Sequence, residues 1–339
     1  MVTSSASTQA NDSAPASGFW PTVSVVVPIY NGAVDLPGLI EGLLGQTYPR
    51  DRVEYLLVDN NSCDRTPELL AEAAERAQTL GLALRPMAET QIQSAYAARN
   101  TAIRAATGEI VAFTDADCYP AVSWLEKLVQ GFQDAQVGLC AGAIAALPAT
   151  TWLERYAERK RLMSQTDTLA HPFCPYGQTA NLAVRAVALE SVGLFRPHLT
   201  TGGDADLCWR LQQQGGWKIH YAEQATIQHH HRTTLSALYK QWYRYGRSSR
   251  YLHQLYSTKL TRPLKADELG HSLLRWLLKE VPQGLSQMAA GEADWLDLAM
   301  TPLGLYCFWA RTRGQRESRL SDRAREIAWL ETACRSNDR

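Results

Sequence analysis

The chain has 339 residues, of which 45% are hydrophobic and 20% are charged. This composition is typical of a globular protein and excludes a disordered, collagen-like or coiled-coil chain. Lys plus Arg equals Asp plus Glu at 34 each, so the total charge offers nucleic acid no attraction. We therefore expect no nucleic acid among the partners.

Strands and helices are predicted to alternate over the first third of the chain. Short β-branched runs alternate with segments of helical periodicity, and the connections between them are short. This order predicts an α/β protein with a doubly wound, mostly parallel sheet, in which ligands bind beyond the carboxyl ends of the strands. The strands are expected at 23–28, 53–58, 82–85 and 109–114, and the helices at about 34–44, 66–79 and 92–106.

Polar residues follow three of these strands. The first ends in Pro28-Ile-Tyr30-Asn31, the second in Asp59-Asn60-Asn61-Ser62 and the fourth in Asp115-Ala-Asp117. Such side chains can bind a nucleoside, or a metal ion together with phosphates, in one crevice. There is no GxGxxG motif after the first strand and no GxxxxGK[ST] motif, which disfavours a dinucleotide oxidoreductase and a P-loop ATPase.

The pair Asp115 and Asp117 has the spacing of a divalent-cation site. Two carboxylates separated by one residue at a strand end project to the same side, where they can hold a hard cation with substrate phosphate oxygens. The alternative is that both aspartates only cap the next turn, which Asp favours.

Seven motifs follow one another along the chain over roughly residues 22–250. They are SVVVPIYN, LLGQTYP, LLVDNNSCDRT, SAYAARNTAIRAATGEIVAFTDADC, GQTANLAVR, TTGGDADLCWRLQQQG and ATIQHHHR. In this order they resemble the family 2 glycosyltransferases, which have the GT-A type, Rossmann-like fold. The resemblance implies a catalytic domain over 21–232, a helical C-terminal region over 233–339, and an inverting glycosyltransferase of the hexosyltransferase type.

The resemblance also implies roles in donor binding. The family usually has Asp-Asp-Gly-Ser where this chain has Asp59-Asn60-Asn61-Ser62, so one negative charge is missing. Asp117 is expected to bind a divalent metal ion, Mn²⁺ or Mg²⁺, that bridges the diphosphate. The residues expected to bind the nucleotide are Pro28, Tyr30, Asp59, Arg99 and Asp115.

His229-His230-His231 follows a short strand predicted at 225–228. In an extended segment His229 and His231 share one face, and an imidazole can complete the metal shell begun by Asp117. His229 matches the family position better. The alternatives are a hydrogen-bonded polar histidine and, less well supported without nearby cysteines, a zinc tract.

A helix is predicted to begin near Asp204, in the sequence Thr201-Gly-Gly-Asp-Ala-Asp206. The resemblance places Asp204 where inverting members keep the catalytic base, which accepts the proton of the acceptor hydroxyl. Two alternatives stay open. Asp204 could be only a helix cap, and Asp206 could occupy the family position instead.

Residues 238–251 read as an amphipathic helix with a basic stripe. The segment from Gln241 to Tyr245 resembles the QxxRW motif of processive members, with tyrosine in the last place. Gln241, Arg244 and Asp206 are candidate contacts to the diphosphate or the acceptor. The alternative is a solvated basic face. The tyrosine and the absence of membrane-spanning segments argue against a processive polysaccharide synthase.

The C-terminal third is basic, with 18 Lys and Arg against 11 Asp and Glu from His231 onward. It suits a membrane surface or a phosphate-bearing ligand, and equally an uneven solvated surface. Leu- and Trp-rich segments near 273–280 and 303–311 can lie in a membrane interface, pack on the catalytic domain or form a dimer. The oligomeric state is not indicated.

The seven scattered cysteines include no CxxC pair, which predicts a reducing compartment without a disulfide framework. Residues 1–20 lack the features of a signal peptide and are expected to be a disordered lead. No segment approaches the roughly 20 apolar residues that span a bilayer. A cytoplasmic protein, or one held at the inner face of the membrane, is therefore expected.

Together these features predict metal-dependent transfer of a sugar from a nucleotide-sugar donor, UDP-linked, to a hydroxyl of a glycan or lipid-linked acceptor. Two alternatives are a nucleotidyltransferase that makes a sugar nucleotide and a non-catalytic scaffold with the same fold. The first would usually carry a Gly-rich, Lys-bearing signature after its first strand, which PIYNGAVD is not. The intact Asp115, Asp117 and Asp204 argue against the second.

Overall fold

The computed structural model describes residues 18–330. Most of the predicted lead, residues 1–17, therefore lies outside the described residues, as does Cys334. Phe19 and Trp20 pack against the core, and the Trp20 ring meets Tyr48 edge-on at 5.2 Å between centroids.

Eight strands form one mixed sheet. They are β1 (Val23–Ile29), β2 (Val53–Asp59), β3 (Ala83–Ala88), β4 (Ile110–Phe113), β5 (Cys118–Pro120), β6 (Val137–Ala146), β7 (Leu182–Arg185) and β8 (Lys218–His229). Their order across the sheet is β3-β2-β1-β4-β7-β6-β8-β5. Four neighbouring pairs are parallel and three, those that involve β5 or β7, are antiparallel. The predicted α/β class with a mostly parallel sheet is confirmed.

Helices cover both faces of the sheet and form the C-terminal region. They are α1 (Leu36–Leu44), α2 (Thr66–Thr79), α3 (Ala95–Ala105), α4 (Trp124–Val129), α5 (Trp152–Arg159), α6 (Gln165–Leu169), α7 (Ala186–Val192), α8 (Gly203–Gln213), α9 (Leu235–Tyr256), α10 (Ala266–Arg275), α11 (Val281–Ala289) and α12 (Trp295–Glu317). A π-helical turn, Trp276–Glu280, joins α10 to α11.

The strands that lie in the middle of the sheet are buried on both faces. Every residue of β1 is buried; Val25 and Val27 pack in a layer with α1, α2 and α4, whereas Val26 packs in a layer with α3, α7 and α8. Side chains alternate across a strand, so a continuous apolar run is what a strand covered on both faces requires. This explains why β1, β2 and β4 were predictable to within a few residues, whereas β3 is a mostly exposed edge strand.

The C-terminal helices pack on one another and on the sheet layer. Helices α9 and α12 approach so closely that a methyl group on Gly246 would collide with the Arg311 carbonyl, and one on Gly314 with the Tyr243 carbonyl. Beyond α12 the chain returns to the part that carries the sheet, where the Leu194 amide donates to the Ala328 carbonyl at 2.7 Å. Each helix within residues 18–330 is too short or too polar to cross a bilayer.

The proposed boundary between residues 232 and 233 falls in the connection between β8 and α9. The division into two regions at this boundary stays a prediction. Residues from both sides of it, including side chains of α9, line the main cavity described next.

Candidate functional site

A cavity of about 570 Å³ opens at the carboxyl ends of β1 and β4. This is the edge at which a parallel α/β sheet binds its ligands, because the connections that follow the strands diverge there. Nine of the eleven predicted site residues line it. They are Pro28, Tyr30, Arg99, Asp115, Asp117, Asp204, His229, Gln241 and Arg244.

Asp59 is not among the lining residues. Its carboxylate accepts the Ser62 amide at 3.1 Å and so closes the turn that follows β2. The next residue, Asn60, lines the cavity instead, and its side-chain amide donates to the Glu89 carbonyl at 2.8 Å. The structure therefore gives Asp59 a place in the turn and Asn60 a place in the cavity wall.

Arg99 projects from α3 and is held firmly. Its side chain is only 4% exposed, and its guanidinium carbon lies 5.5 Å from the Tyr96 ring and 5.8 Å from the Phe195 ring. One guanidinium nitrogen donates to Asp115 at 2.5 Å. Removal from solvent raises the pKa of the Asp115 carboxyl and the Asp117 and Asp204 charges raise it further, while Arg99 opposes this rise. The Arg99 guanidinium therefore binds the Asp115 carboxylate directly.

Asp117 and His229 meet because β5 pairs with β8. In that pairing Cys118 is opposite His229, which places the preceding residue beside the imidazole. The His229 Nε2 lies 3.3 Å from an Asp117 carboxylate oxygen, and a guanidinium nitrogen of Arg232 lies 3.7 Å from the same oxygen. Burial alone would raise the pKa of Asp117, but the hydrogen bond from His229 and the charges of His229 and Arg232 lower it to about 2. Asp117 is therefore a carboxylate at neutral pH.

The Asp117 and His229 pair has the composition of part of a cation site. Two ligands on adjacent corners of an octahedral shell of about 2.1 Å radius are roughly 3 Å apart, close to the 3.3 Å observed. The buried His229 Nδ1 has no hydrogen-bond partner among residues 18–330. No group of three or more His, Cys, Asp or Glu side chains within residues 18–330 is arranged to hold a metal ion. The described part of the chain thus offers two ligands, and a bound ion would need further ligands.

His231 does not share the cavity with His229. Strand β8 ends at His229, so the alternation of side chains does not continue, and His231 lines a separate cavity of about 260 Å³ with Arg161 and Tyr221. Burial lowers the pKa of His231 to about 4, and the charge of His229 adds to the effect. Of the two histidines predicted to share a face, only His229 lies beside Asp117.

Asp204 occupies the first turn of α8, where the helix dipole favours a negative charge. Gly202, with φ of +82°, forms the N-cap, and it has no side chain with which to cap the helix. The Asp204 carboxylate instead crosses to another segment, where it accepts the Thr179 hydroxyl at 3.1 Å and the Thr179 amide at 3.4 Å. The helix-cap alternative is not what the structure shows.

Asp206 lies away from the cavity and is fully buried. Its carboxylate accepts hydrogen bonds from Arg196 at 2.9 Å, from Arg210 at 3.0 Å and from the Tyr256 hydroxyl at 2.6 Å. These contacts occupy both oxygens. Asp206 therefore joins α8 to its neighbours, and only Asp204 of the two carboxylates faces the cavity.

Helix α9 forms one wall of the cavity. The Gln241 side chain donates to the Tyr245 hydroxyl at 3.0 Å, and that hydroxyl donates to the sulfur of Met163 at 3.3 Å. Arg244 is exposed in the wall and forms no ion pair with any residue between 18 and 330. Arg247, next on the predicted basic stripe, donates to the Thr200 hydroxyl instead.

The lining residues that had not been predicted include Tyr96, Gln178 and Thr179. The last two lie within the motif GQTANLAVR, so the order of motifs was a signal that they belong to the site. Tyr96 lies within the motif SAYAARNTAIRAATGEIVAFTDADC and carried the same signal. Its hydroxyl accepts the Gly203 amide at 2.9 Å, and only the tertiary structure brings α3 to the start of α8.

The fold and the cavity together define a GT-A type transferase, and comparisons with known proteins agree. Residues 24–192 match the family model of glycosyl transferase family 2, and residues 110–310 match that of glycosyl transferase family group 2. Glycosyltransferase AglE of Haloferax volcanii is 30% identical over 303 residues, which are 89% of this chain and 96% of that protein. The chain belongs to the family 2 glycosyltransferases.

Two further relatives are longer. The pre-mycofactocin glycosyltransferase of Mycobacterium tuberculosis is 30% identical over 274 residues, covering 79% of this chain and 54% of that protein. The beta-monoglucosyldiacylglycerol synthase of a Nostoc species is 30% identical over 241 residues, covering 69% and 51%. The chain thus spans about half the length of these two relatives.

A solved structure supports the fold. The mannosyltransferase PcManGT from Pyrobaculum calidifontis, in complex with GDP-Man and Mn²⁺, superposes with a TM-score of 0.58 at 22% identity and covers 90% of this chain and 87% of that one. The predicted GT-A fold and glycosyltransferase activity are confirmed. The nucleotidyltransferase and scaffold alternatives find no support among these relatives.

Proposed function

We propose that this protein is an inverting, divalent-metal-dependent glycosyltransferase that uses a UDP-linked sugar and a hydroxyl of a glycan or lipid-linked acceptor. One observation carries the proposal. The Asp117 and His229 pair and the Asp204 carboxylate line one cavity, so a cation-binding group and a proton acceptor can act on one substrate complex.

The nucleotide is proposed to bind at the ends of β1, β2 and β4. Tyr30, 55% exposed, offers a ring against which a base can stack, and Pro28 lies behind it. Asp115, fixed by Arg99, presents its other oxygen as an acceptor for a ribose hydroxyl. Asn60 replaces Asp59 as the side chain that meets the nucleotide, and Asp59 supports the turn.

The diphosphate is proposed to lie near Asp117, His229 and Arg244. Asp117 and His229 would hold Mn²⁺ or Mg²⁺, and a divalent ion there supplies positive charge that stabilises the leaving diphosphate. Arg244 is suited to a second contact, because a guanidinium without an ion pair can bind phosphate oxygens in a bidentate manner.

Asp204 is proposed as the general base. An inverting displacement needs a carboxylate that accepts the acceptor proton while the oxygen attacks opposite the leaving group, and such a base contributes on the order of 10²–10⁴ in rate. Thr179 donates one hydrogen bond to each oxygen of the Asp204 carboxylate, which lines the cavity, so both oxygens keep the capacity to accept another. Asp206 has no such freedom.

A lipid-linked acceptor has support from one relative, which is named a beta-monoglucosyldiacylglycerol synthase. An acceptor of that kind would place the enzyme at the inner face of a membrane, as a peripheral protein in the cytoplasm. We propose this location together with the acceptor class.

The test combines a thermal-shift screen with transfer assays. UDP-, GDP- and dTDP-sugars are added with and without Mn²⁺, because a ligand that binds only the folded state raises the melting temperature. We expect a Mn²⁺-dependent shift with a UDP-sugar, lost in Asp117→Ala. Asp204→Asn should keep the shift and lose transfer, and Asp51→Asn, an exposed surface change, should alter neither.

Three results would contradict the proposal. A protein that responds to none of the three donor classes has no nucleotide site of the proposed kind. Equal shifts of the melting temperature with and without Mn²⁺ would show that donor binding does not require the metal ion. Loss of both donor binding and transfer in Asp204→Asn would give Asp204 a structural role.

A further inference from the structure

Exposed leucines are concentrated in one stretch of the C-terminal region. Sixteen large hydrophobic side chains are exposed within residues 18–330, and seven of them are leucines between 264 and 285. Leu278 is 68% exposed and Leu274 is 58% exposed. Contiguous exposed apolar surface of this kind marks a contact with a protein or a membrane. We define the leucine face as Leu264, Leu269, Leu273, Leu274, Leu277, Leu278 and Leu285.

Apart from Leu264, which precedes α10, the leucine face belongs to one helical run that is attached to the protein along its other side. From 266 to 289, α10, the π-helical turn and α11 follow one another without a break, and only Gly284 is buried. The Trp276 indole donates to the Leu298 carbonyl at 2.7 Å, and the Thr301 hydroxyl donates to Glu280 at 2.5 Å. These contacts direct one side of the run toward α12.

The spacing of the leucines explains their exposure. Leu269, Leu273 and Leu277 recur every four residues and therefore lie on one side of the helix. Leu274 and Leu278 directly follow Leu273 and Leu277 in the sequence and widen the apolar side of the helix. No element among residues 18–330 covers these five side chains, all of which remain between 41% and 68% exposed.

Lysines border the leucine face. Between residues 257 and 290 there are five Lys or Arg residues and three Asp or Glu residues. The two arginines are paired, Arg262 with Glu268 and Arg275 with Glu280. Lys259, Lys265 and Lys279 form no ion pair with the described part of the chain. An apolar face bordered by free lysines is complementary to the interface of an anionic bilayer, where the lysine stems lie along the acyl boundary and the ammonium groups reach the headgroups.

The distribution of charge over the chain favours the same partner and gives it an orientation. The C-terminal part from His231 carries 18 basic and 11 acidic residues, whereas the total is balanced, so the part before it is acidic. An anionic surface attracts the C-terminal part and repels the sheet domain. In a two-fold dimer built on the leucine face the same lysines would approach one another, which disfavours a second copy as the partner.

We propose that the leucine face docks the protein on a bilayer that contains anionic lipids. The leucines enter the interface, and Lys265 and Lys279 contact the headgroups. The docking surface is separate from the catalytic cavity, since none of its residues lines that cavity. The proposal is therefore tested without donor or acceptor, and its failure leaves the proposed reaction untouched.

The test is flotation of the full chain with phosphatidylcholine vesicles that contain or lack phosphatidylglycerol. We expect binding to the anionic vesicles and weaker binding to the neutral ones. Leu274→Gln with Leu278→Gln should weaken binding at least about tenfold, because two apolar side chains no longer leave water. Glutamine keeps helix propensity, and both side chains are exposed, so the fold is preserved.

Two further variants separate the contributions. Leu235→Gln, at an exposed leucine outside the leucine face, should bind like the wild type. Lys279→Glu should lose affinity for anionic vesicles and keep the weak affinity for neutral ones. Sedimentation velocity without lipid is measured in parallel for every variant.

Three outcomes would overturn the proposal. One is a wild-type chain that does not float with anionic vesicles. Another is equal binding by the double leucine variant and the wild type. The third is a wild-type dimer that the double variant converts to a monomer while vesicle binding is absent, which would make the leucine face an interface between copies of this chain.

Discussion

Two aspartates that are two residues apart on α8 should respond in opposite ways to the same substitution. Asp206 is fully buried, and its two oxygens accept hydrogen bonds from Arg196, Arg210 and Tyr256 at 2.6 to 3.2 Å. Asp206→Asn leaves two guanidinium groups without their counter-charge. Arg210 cannot turn to solvent, because it is fully buried and also donates to the Val192 carbonyl at 2.7 Å.

The expected loss for Asp206→Asn is about 3–5 kcal/mol of unfolding free energy, the usual cost of removing one member of a buried ion pair. A typical domain has only about 5–15 kcal/mol in total. Asp204→Asn should change stability by less than about 1 kcal/mol, because its side chain is half-buried and the Asn carbonyl can still accept the Thr179 hydroxyl. It should nevertheless abolish transfer.

Urea denaturation followed by circular dichroism gives both free energies, and a transfer assay at saturating donor gives the activity. Asp51→Asn serves as the matched control, since Asp51 is exposed. The reasoning is refuted if Asp206→Asn is as stable as the wild type. It is equally refuted if Asp204→Asn loses as much stability as Asp206→Asn, since then Asp204 would be a structural residue too.

Three further variants test the packing and the site. Thr179→Val should lower kcat about tenfold with little change in the KM of the donor, because Asp204 loses a charge-assisted hydrogen bond; Thr179→Ser should restore the rate, and full activity of the valine variant would show that the base needs no such support. His229→Ala should raise the Mn²⁺ concentration for half-maximal activity by about 10-fold or more, whereas an unchanged Mn²⁺ titration would remove His229 from the metal site. Gly246→Ala should cost about 1–3 kcal/mol in urea denaturation, since its methyl group would meet the backbone of α12. Gly304→Ala, a helical glycine with open space around it, is its control, and equal stability of the two would contradict the close packing of α9 and α12.

In the proposed donor side of the site, the location of the strand-end residues was predictable, but the roles of individual side chains were less so. Strand ends such as Pro28 and Asp115 follow directly from buried runs, and the sheet brings such ends to one edge whatever the surrounding side chains are. The sequence pattern did not show whether Asp59 or Asn60 would line the cavity. It depends on the turn after β2, where the Asp59 carboxylate is used by the Ser62 amide.

In the proposed acceptor side of the site, only the tertiary structure distinguishes Asp204 from Asp206. Capping statistics and motif order left Asp204 and Asp206 as alternatives, and the difference between them lies in their partners, which are Thr179 for one and Arg196 and Arg210 for the other. Thr179 and Arg196 come from other segments of the chain, whereas Arg210 lies on α8, four residues after Asp206. The local pattern of α8 contains only Arg210 of these three partners, and it does not show which aspartate faces the cavity.

The amino-acid sequence by itself determined the α/β class, the alternation of buried strands with helices and the positions of most polar side chains at the strand ends. Local periodicity and the order of motifs carry this information, because burial on both faces of a strand requires an unbroken apolar run. Only the tertiary structure decided that Asp117 meets His229, that Asp204 is free while Asp206 is not, and that the leucine face remains uncovered. Each of these depends on which distant segments pack together, and a side chain's charge, burial and partners are set by that packing.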